Sequence, residues 1–288
     1  MRPWSRWRKA GHAALLVLVT VYCLFPIYFM LVQSLKSAEE DVFGNPLIVR
    51  HPTFENFEEL FELRGGQVRG FALHRSYPFL DWLENTLILF AGAVAITLVV
   101  SVLAAYALGR LQPPGFRTWR RAIFASYIIP HTILFVPLYQ VIMKLGLDDN
   151  LLALLIVYPT LAIPFCVWVL SAYFQHLPRE VEEAAFVEGA GRVATFFRIV
   201  LPMSRPVLVT AGIFALGTIA SDFTLASVFL LSAENQTIPA GLATMEVSLD
   251  ELQAVAGINV MAIPVVLICA VLARGYVRGL TAAMLEGS

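Results

Sequence analysis

Six stretches of this 288-residue chain are long and apolar enough to cross a bilayer, at roughly 20 residues per crossing. They cover residues 13–33, 86–108, 122–143, 151–175, 206–232 and 252–273. Few folds are open to such a chain, because in lipid every backbone N–H and C=O must be satisfied within the protein. Runs of this length specify helices, so the expected class is an all-α membrane protein with six transmembrane helices. Hydrophobic residues make up 58% of the chain and charged residues 14%, with a mean hydropathy of +0.74, which excludes an ordinary soluble domain. A net charge of −1 gives no footing for nucleic acid, whereas membrane lipid is an obligatory partner. Cys23, Cys166 and Cys269 all lie in apolar runs and read as small buried hydrophobes, not as a disulfide framework. The first run is too long for a signal peptide and lacks a small-residue cleavage site, so it is expected to remain as a span.

Basic residues set the orientation. Arg2, Arg6, Arg8 and Lys9 precede the first span, Arg110, Arg117, Arg120 and Arg121 fill the second connection, and Arg179, Arg192, Arg198 and Arg205 fill the fourth. Arg274 and Arg278 follow the sixth span. The alternate connections are acidic, with Glu39, Glu40 and Asp41, then Asp148 and Asp149, then Glu234, Glu246, Asp250 and Glu251. Excess Arg and Lys marks the cytoplasmic side, so both termini and residues 178–202 are expected there, in a multi-pass protein of the cell membrane. Trp4 and Trp7 beside the first arginines suit an interfacial anchor.

Residues 178–202 form the longest water-compatible segment in the second half of the chain. Pro178 suits a first helical position, and Glu180, Glu182 and Glu183 crowd a first turn, where carboxylates favour the helix dipole. Val181, Ala185 and Gly189 fall four apart, a strip that lets another surface approach. Gly189-Ala190-Gly191 permits a reversal, and Val193, Phe196, Phe197 and Val200 then mark an amphipathic face with Arg192, Thr195 and Arg198 opposite. Pro202 and Pro206 end this second helix.

The spacing Glu183-Ala184-Ala185, three residues, Gly189, nine residues, Ile199, one residue, Leu201-Pro202 resembles the EAA loop of permease subunits in ATP-driven, binding-protein-dependent importers. The family's common Asp before the glycine is Glu188 here. The resemblance implies a type I ABC importer permease (MetI-like) bundle whose cytoplasmic coupling helix docks on a separate ATPase. The implied coupling residues are Glu182, Glu183, Ala184, Ala185, Glu188, Gly189, Ala190, Ile199, Leu201 and Pro202. Other stretches look like the maltose-type (carbohydrate) permeases: Asn85-Thr86-Leu87, Ala104-Ala105-Tyr106-Ala107, Pro137-Leu138-Tyr139, Gly146-Leu147-Asp148 and residues 237–242. Residues 52–61 resemble that type's first external loop. There Phe54, Phe57 and Phe61 suggest an amphipathic helix that either lies on the outer leaflet or meets a soluble binding protein. The implied organisation is an N-terminal anchor, first span and external loop (1–81), a permease domain (82–280) and a short tail (281–288), which in some relatives reaches the ATPase.

Four polar residues are candidates for the translocation path. Asp222 lies well inside the fifth span, where a charge costs about 2.5–3.5 kcal/mol, so it must face the bundle interior or water. It can accept a bond from a substrate hydroxyl or clamp two helices. With Ser221 it stands where sugar permeases commonly carry Trp-Asn-Glu-Phe; this chain has Ala220-Ser221-Asp222-Phe223. His131 can relay a proton, touch substrate or simply pack, and Asn259 can contact ligand or bond between helices. Small residues at Ala91, Gly92, Ala93, Ala95, Ala104 and Ala105 favour close helix approach.

No G-x-x-x-x-G-K-[ST] loop, H-E-x-x-H, zinc-spaced Cys/His cluster or G-x-S-x-G elbow is present, so the chain is not expected to be an enzyme. It should carry no cofactor itself, with ATP and Mg held by the partner. The expected assembly contains a second homologous permease, a dimer of ATP-binding subunits and an extracytoplasmic substrate-binding protein. Together the two permeases would import a sugar or related polyol. The rivals are the same architecture carrying glycerol-phosphate, polyamine or amino acid, and an ion-coupled secondary transporter using Asp222 and His131. Six spans without a visible internal repeat disfavour the latter.

Overall fold

A computed structural model of the chain describes residues 6–62, 77–245 and 251–286. Arg2, Trp4, Glu246, Asp250 and the last two residues of the tail lie outside them. Regular structure among the described residues is entirely helical. In order it comprises α1 (Arg6–Ser34), α2 (Ala38–Phe43), α3 (Glu55–Glu62), α4 (Phe79–Tyr106), α5 (Phe116–Tyr127), α6 (His131–Lys144) and α7 (Leu151–His176). There follow α8 (Glu180–Val187), α9 (Arg192–Thr195), α10 (Leu201–Met203), α11 (Arg205–Ala220), α12 (Thr224–Phe229), α13 (Ile238–Thr244) and α14 (Glu251–Glu286). Two π-helical turns, Ala107–Leu111 and Phe196–Val200, extend α4 and join α9 to α10.

Four of the six expected spans are single helices: α1, α4 with its π turn, α7, and α14 over Glu251–Ala273. The third and fifth are interrupted. The third breaks into α5 and α6 at residues 128–130, because Pro130 lacks an N–H and disfavours helix at the residue before it. The fifth breaks into α11 and α12 at residues 221–223, and the segment ahead of it, Arg192–Met203, meets α11 at 75°. Apolarity runs on through both breaks, while the helical hydrogen bonding does not.

The chain divides into two compact units, Met1–Phe79 with Thr244–Ala262, and Leu80–Ala243 with Ile263–Ser288. In the first, α1 presents apolar side chains such as Leu16, Leu18 and Tyr22 on its outside, and Cys23 is exposed there, not buried as expected. Buried Asn56 in α3 donates to the carbonyls of Ser34 (2.9 Å) and Lys36 (2.8 Å), taking up acceptors where α1 ends. That anchor turns Asn56 and Leu60 inward and leaves Phe54 and Phe61 exposed, with Phe57 half-buried and its ring 6.2 Å from that of Phe54, so the short helix expected here forms with aromatic side chains facing outward. Phe61 packs edge-on to Phe79 at 5.5 Å.

The second unit is built around α7. Asn150 caps it by accepting from the Leu152 amide at 2.9 Å. Along α4 and its π turn, Ala93, Thr97, Ser101, Ala105 and Gly109 are buried at every fourth position. Ala91 and Ala95, expected to share that role, face outward. The closest approach is at Gly109, where a Cβ would lie 2.6 Å from the Ser171 carbonyl oxygen.

Both ends of this unit are tied by side chains. At one end Asn85 donates to the carbonyls of Glu234 (2.8 Å) and Gln236 (3.0 Å), and the Thr86 hydroxyl accepts from the Ile238 amide at 2.9 Å. The Asp149 carboxylate there accepts from the amides of Leu231 (2.8 Å) and Ser232 (2.9 Å) and from the Ser232 hydroxyl. The other end carries the connections 112–115 and 177–204, the second of which is described below.

Gly109→Ala should push α4 from α7, costing about 1–3 kcal/mol as overpacking does. The detergent-solubilised subunit should melt at lower temperature, whereas Gly217→Ala, with open space around it, should melt no lower. Asp149 generates a pH prediction. Burial by itself raises its pKa, but hydrogen bonds from Ser232 and Leu231 outweigh that and hold it below the usual aspartate value. A depressed folded-state pKa stabilises above the unfolded value and loses that contribution as pH falls through the folded one. Melting temperature should therefore drop on acidification below about pH 3.9 less steeply in Asp149→Asn than in the wild type.

Candidate functional site

Residues 178–204 fold as a knob on a root. The knob is α8 and the turn after it. Ala190 N–H donates to the Ala185 carbonyl (2.9 Å) and Gly189 N–H to that of Phe186 (3.0 Å), with Gly189 at φ +86°. This is a Schellman cap, and its left-handed residue is strained for any side chain that has a Cβ. No neighbouring atom lies within 4 Å of the Cβ position of Gly189. The glycine is therefore required by backbone conformation, and the space it leaves is open.

The expected strip is split between two faces. Ala185 and Glu182 are buried against the bundle, while Val181, Glu183, Ala184, Glu188 and Gly189 are exposed and Val187 is 90% exposed. Ala190 is half-buried beside the turn. The second helix is also rearranged. Its π turn widens the helix, so i, i+3, i+4 spacing does not carry across it. Phe196 and Val200 are buried as expected, Val193 and Phe197 are exposed, and Thr195, expected on the polar side, is buried with its hydroxyl donating to the Gly191 carbonyl at 3.1 Å.

The root is a cluster of Val102, Ala105, Leu170, Phe174, Phe196, Val200 and Val207, drawn from α4, α7, the π turn and α11. Tyr106 lies against Phe196 (4.7 Å between ring centres) and edge-on to Phe174 (6.0 Å), contacts worth about 0.5–1.5 kcal/mol each beyond area burial. Ile199, Leu201 and Pro202 are half-buried at its margin.

Glu182 is held by Arg110, whose Nε donates to Oε1 at 2.7 Å. The side chains are 6% and 11% exposed for Arg110 and Glu182 respectively. Removing one partner of such a pair costs about 3–5 kcal/mol, because the other charge is left buried alone. The sequence flagged Arg110 only as an orientation signal; no local pattern pairs it with a residue 72 positions away. Beside the pair opens a recess of about 290 Å³ bordered by Tyr106, Arg179, Glu183, Phe186 and Arg192.

Each candidate path residue has its own local contacts. Asp222 stands at the break in the fifth span, where its carboxylate accepts from the Tyr158 hydroxyl on α7 (3.0 Å) and from the amides of Leu225 (3.3 Å) and Ala226 (3.2 Å). It thus ties two helices and caps α12. A space of about 10 Å³, the size of one water, lies beside it and Tyr158. Ser221 is exposed and donates back to the Thr218 carbonyl at 3.4 Å. His131 begins α6 and meets the Tyr127 ring edge-on at 6.2 Å. Asn259, in the first unit, donates to the Met30 carbonyl at 3.1 Å and so bonds α14 to α1.

Residues 98–281 match the family described as binding-protein-dependent transport system inner membrane component. Over 97% of both chains, the sequence is 32% identical to the inner membrane ABC transporter permease protein YcjP of Escherichia coli. Over 94% of both, it is 30% identical to the trehalose/maltose transport system permease protein MalG of Thermococcus litoralis. Among solved structures, a chain of a bacterial ABC transporter involved in import of the acidic polysaccharide alginate superposes with a TM-score of 0.76 at 22% identity. That match covers 95% of this chain and 99% of the other, and shows the shared fold. The chain belongs to the binding-protein-dependent transport system inner membrane components: it is a permease subunit of an ABC importer, not an enzyme.

Proposed function

We propose that this subunit forms half of the translocation path of an importer for a sugar or related polyol, and that α8 with its glycine turn is the lever gripped by a separate ATPase. The observation that carries the coupling role is the division of residues 178–204 into a buried root and an exposed knob. Phe196 and Val200 anchor the segment in the core, while Ala184, Val187, Glu188 and Gly189 are left facing outward without a packing role in this chain. A glycine-ended knob of that kind, with Val187 projecting from it, suits a cleft on another protein.

Charge supports the orientation. Connections 107–121 and 177–205 carry eight arginines against four glutamates, whereas segments 80–85, 145–150 and 230–243 carry Asp81, Glu84, Asp148, Asp149 and Glu234 and no Lys or Arg. By the positive-inside rule the knob and both termini are cytoplasmic. The partners are a second related permease, two ATP-binding subunits holding ATP and Mg, and an extracytoplasmic binding protein. Closure of the ATPases moves α8 because inward-open and outward-open bundles offer them different contacts, and ATP biases the two states by that difference. A carbohydrate cargo is supported by the likeness to the Thermococcus litoralis trehalose/maltose permease. Asp222 serves as a clamp between α7 and α12, with its acceptor capacity directed to Tyr158 and the two amides.

Val187→Glu and Gly189→Trp should each reach the membrane in normal amounts yet retain about tenfold less ATPase on affinity purification in detergent. Undiminished retention by both would remove the knob as the docking surface. Cargo class is tested by calorimetry on the binding protein encoded with this subunit; selective binding of an amino acid or polyamine would overturn the carbohydrate assignment.

A further inference from the structure

One side chain holds the knob in place from outside the segment that forms it. Arg110 lies on the π turn ending α4, and its guanidinium donates to three acceptors in a single corner. Nε reaches Glu182 Oε1 at 2.7 Å, Nη1 the Leu177 carbonyl at 2.9 Å and Nη2 the Pro178 carbonyl at 3.1 Å. Leu177 and Pro178 connect α7 to α8, so one planar cation joins the ends of two spans to the first turn of α8. Nearby, Gly109 seats its backbone against Ser171 of α7. A guanidinium suits this corner because its donors are fixed in a rigid fork, whereas a lysine offers a point charge on a flexible stem.

We propose that Arg110 is a positioning residue that transmits displacement of α8 to α4 and α7. The proposal rests on the reading of α8 as the ATPase lever. Without the fork, residues 177–179 form a hinge in which a push on α8 is absorbed. With it, α8 carries the ends of both spans when it moves. Arg110 does not lie on the outward face of Ala184, Val187 and Gly189, so its substitution separates transmission from docking.

The test uses the complete transporter with spin labels at Glu180 on α8 and Val99 on α4, measured by pulsed electron resonance with and without ATP and Mg. With Arg110 present, the distance distribution should be narrow and the same in both conditions. In R110Q it should broaden and shift with nucleotide while the ATPase stays bound, because α8 then moves alone. R110K should fall between, and E182Q should show part of the same loosening. A narrow, nucleotide-independent distribution in R110Q would overturn the proposal, even with a lowered melting temperature, since a merely structural contact would leave the geometry of the folded complex unchanged. Should R110Q fail to accumulate, R110K and E182Q decide by the same criterion. Loss of the underlying reading looks different: the wild-type subunit would retain no ATPase, or V187E and G189W would retain it undiminished, whatever the distances do, and both ideas would fall.

Discussion

The governing constraint is that a backbone polar group in a bilayer must be satisfied by the protein itself. Regular helix does this automatically, so the informative places are those where helix stops. At several such places a side chain supplies the missing partner. Asp222 receives two amides where the fifth span breaks, Asn56 donates where α1 ends, and Asn85 and Asp149 pin the connection that follows α12. Arg110 serves the carbonyls that follow α7. These polar residues are scattered in sequence and share one role in space.

That role explains the partition of the coupling segment. A lever must be stiff where it joins the load and unencumbered where it is gripped. Aromatic packing of Tyr106, Phe174 and Phe196 supplies stiffness on one side, and the turn at Gly189, with nothing packed around it, leaves the other side free. Cost and benefit are thus separated: changes in the root disturb folding, whereas changes at outward side chains of the knob such as Val187 disturb chiefly what binds it.

Much of the helical class and of the knob was legible in the sequence, since both depend on local signals such as apolar run length, a first turn rich in glutamate and a glycine at a helix end. The breaks at Pro130 and Asp222 were present as residues but were overridden by hydropathy, which averages over them. Register within the knob was less legible. Strict helical spacing placed Ala185 beside Val181 and Gly189, yet Ala185 is drawn inward with Glu182, and the π turn displaced Phe197 from the face it was assigned. The Arg110–Glu182 pair could not be read at all, because no periodicity relates residues brought together by tertiary folding.

The two widened turns at the arginine-rich end each hold one residue more than an ordinary helical turn would. A homologue shorter by one position between 107 and 111 would therefore keep an unbroken rod and lose only the bulge. Everything on one side of the deletion would then be rotated by about 100° relative to the other. Alignment gaps at these two points are better treated as changes of azimuth than as missing structure, and the guanidinium carried by the first of them would be the first group to lose its bearing.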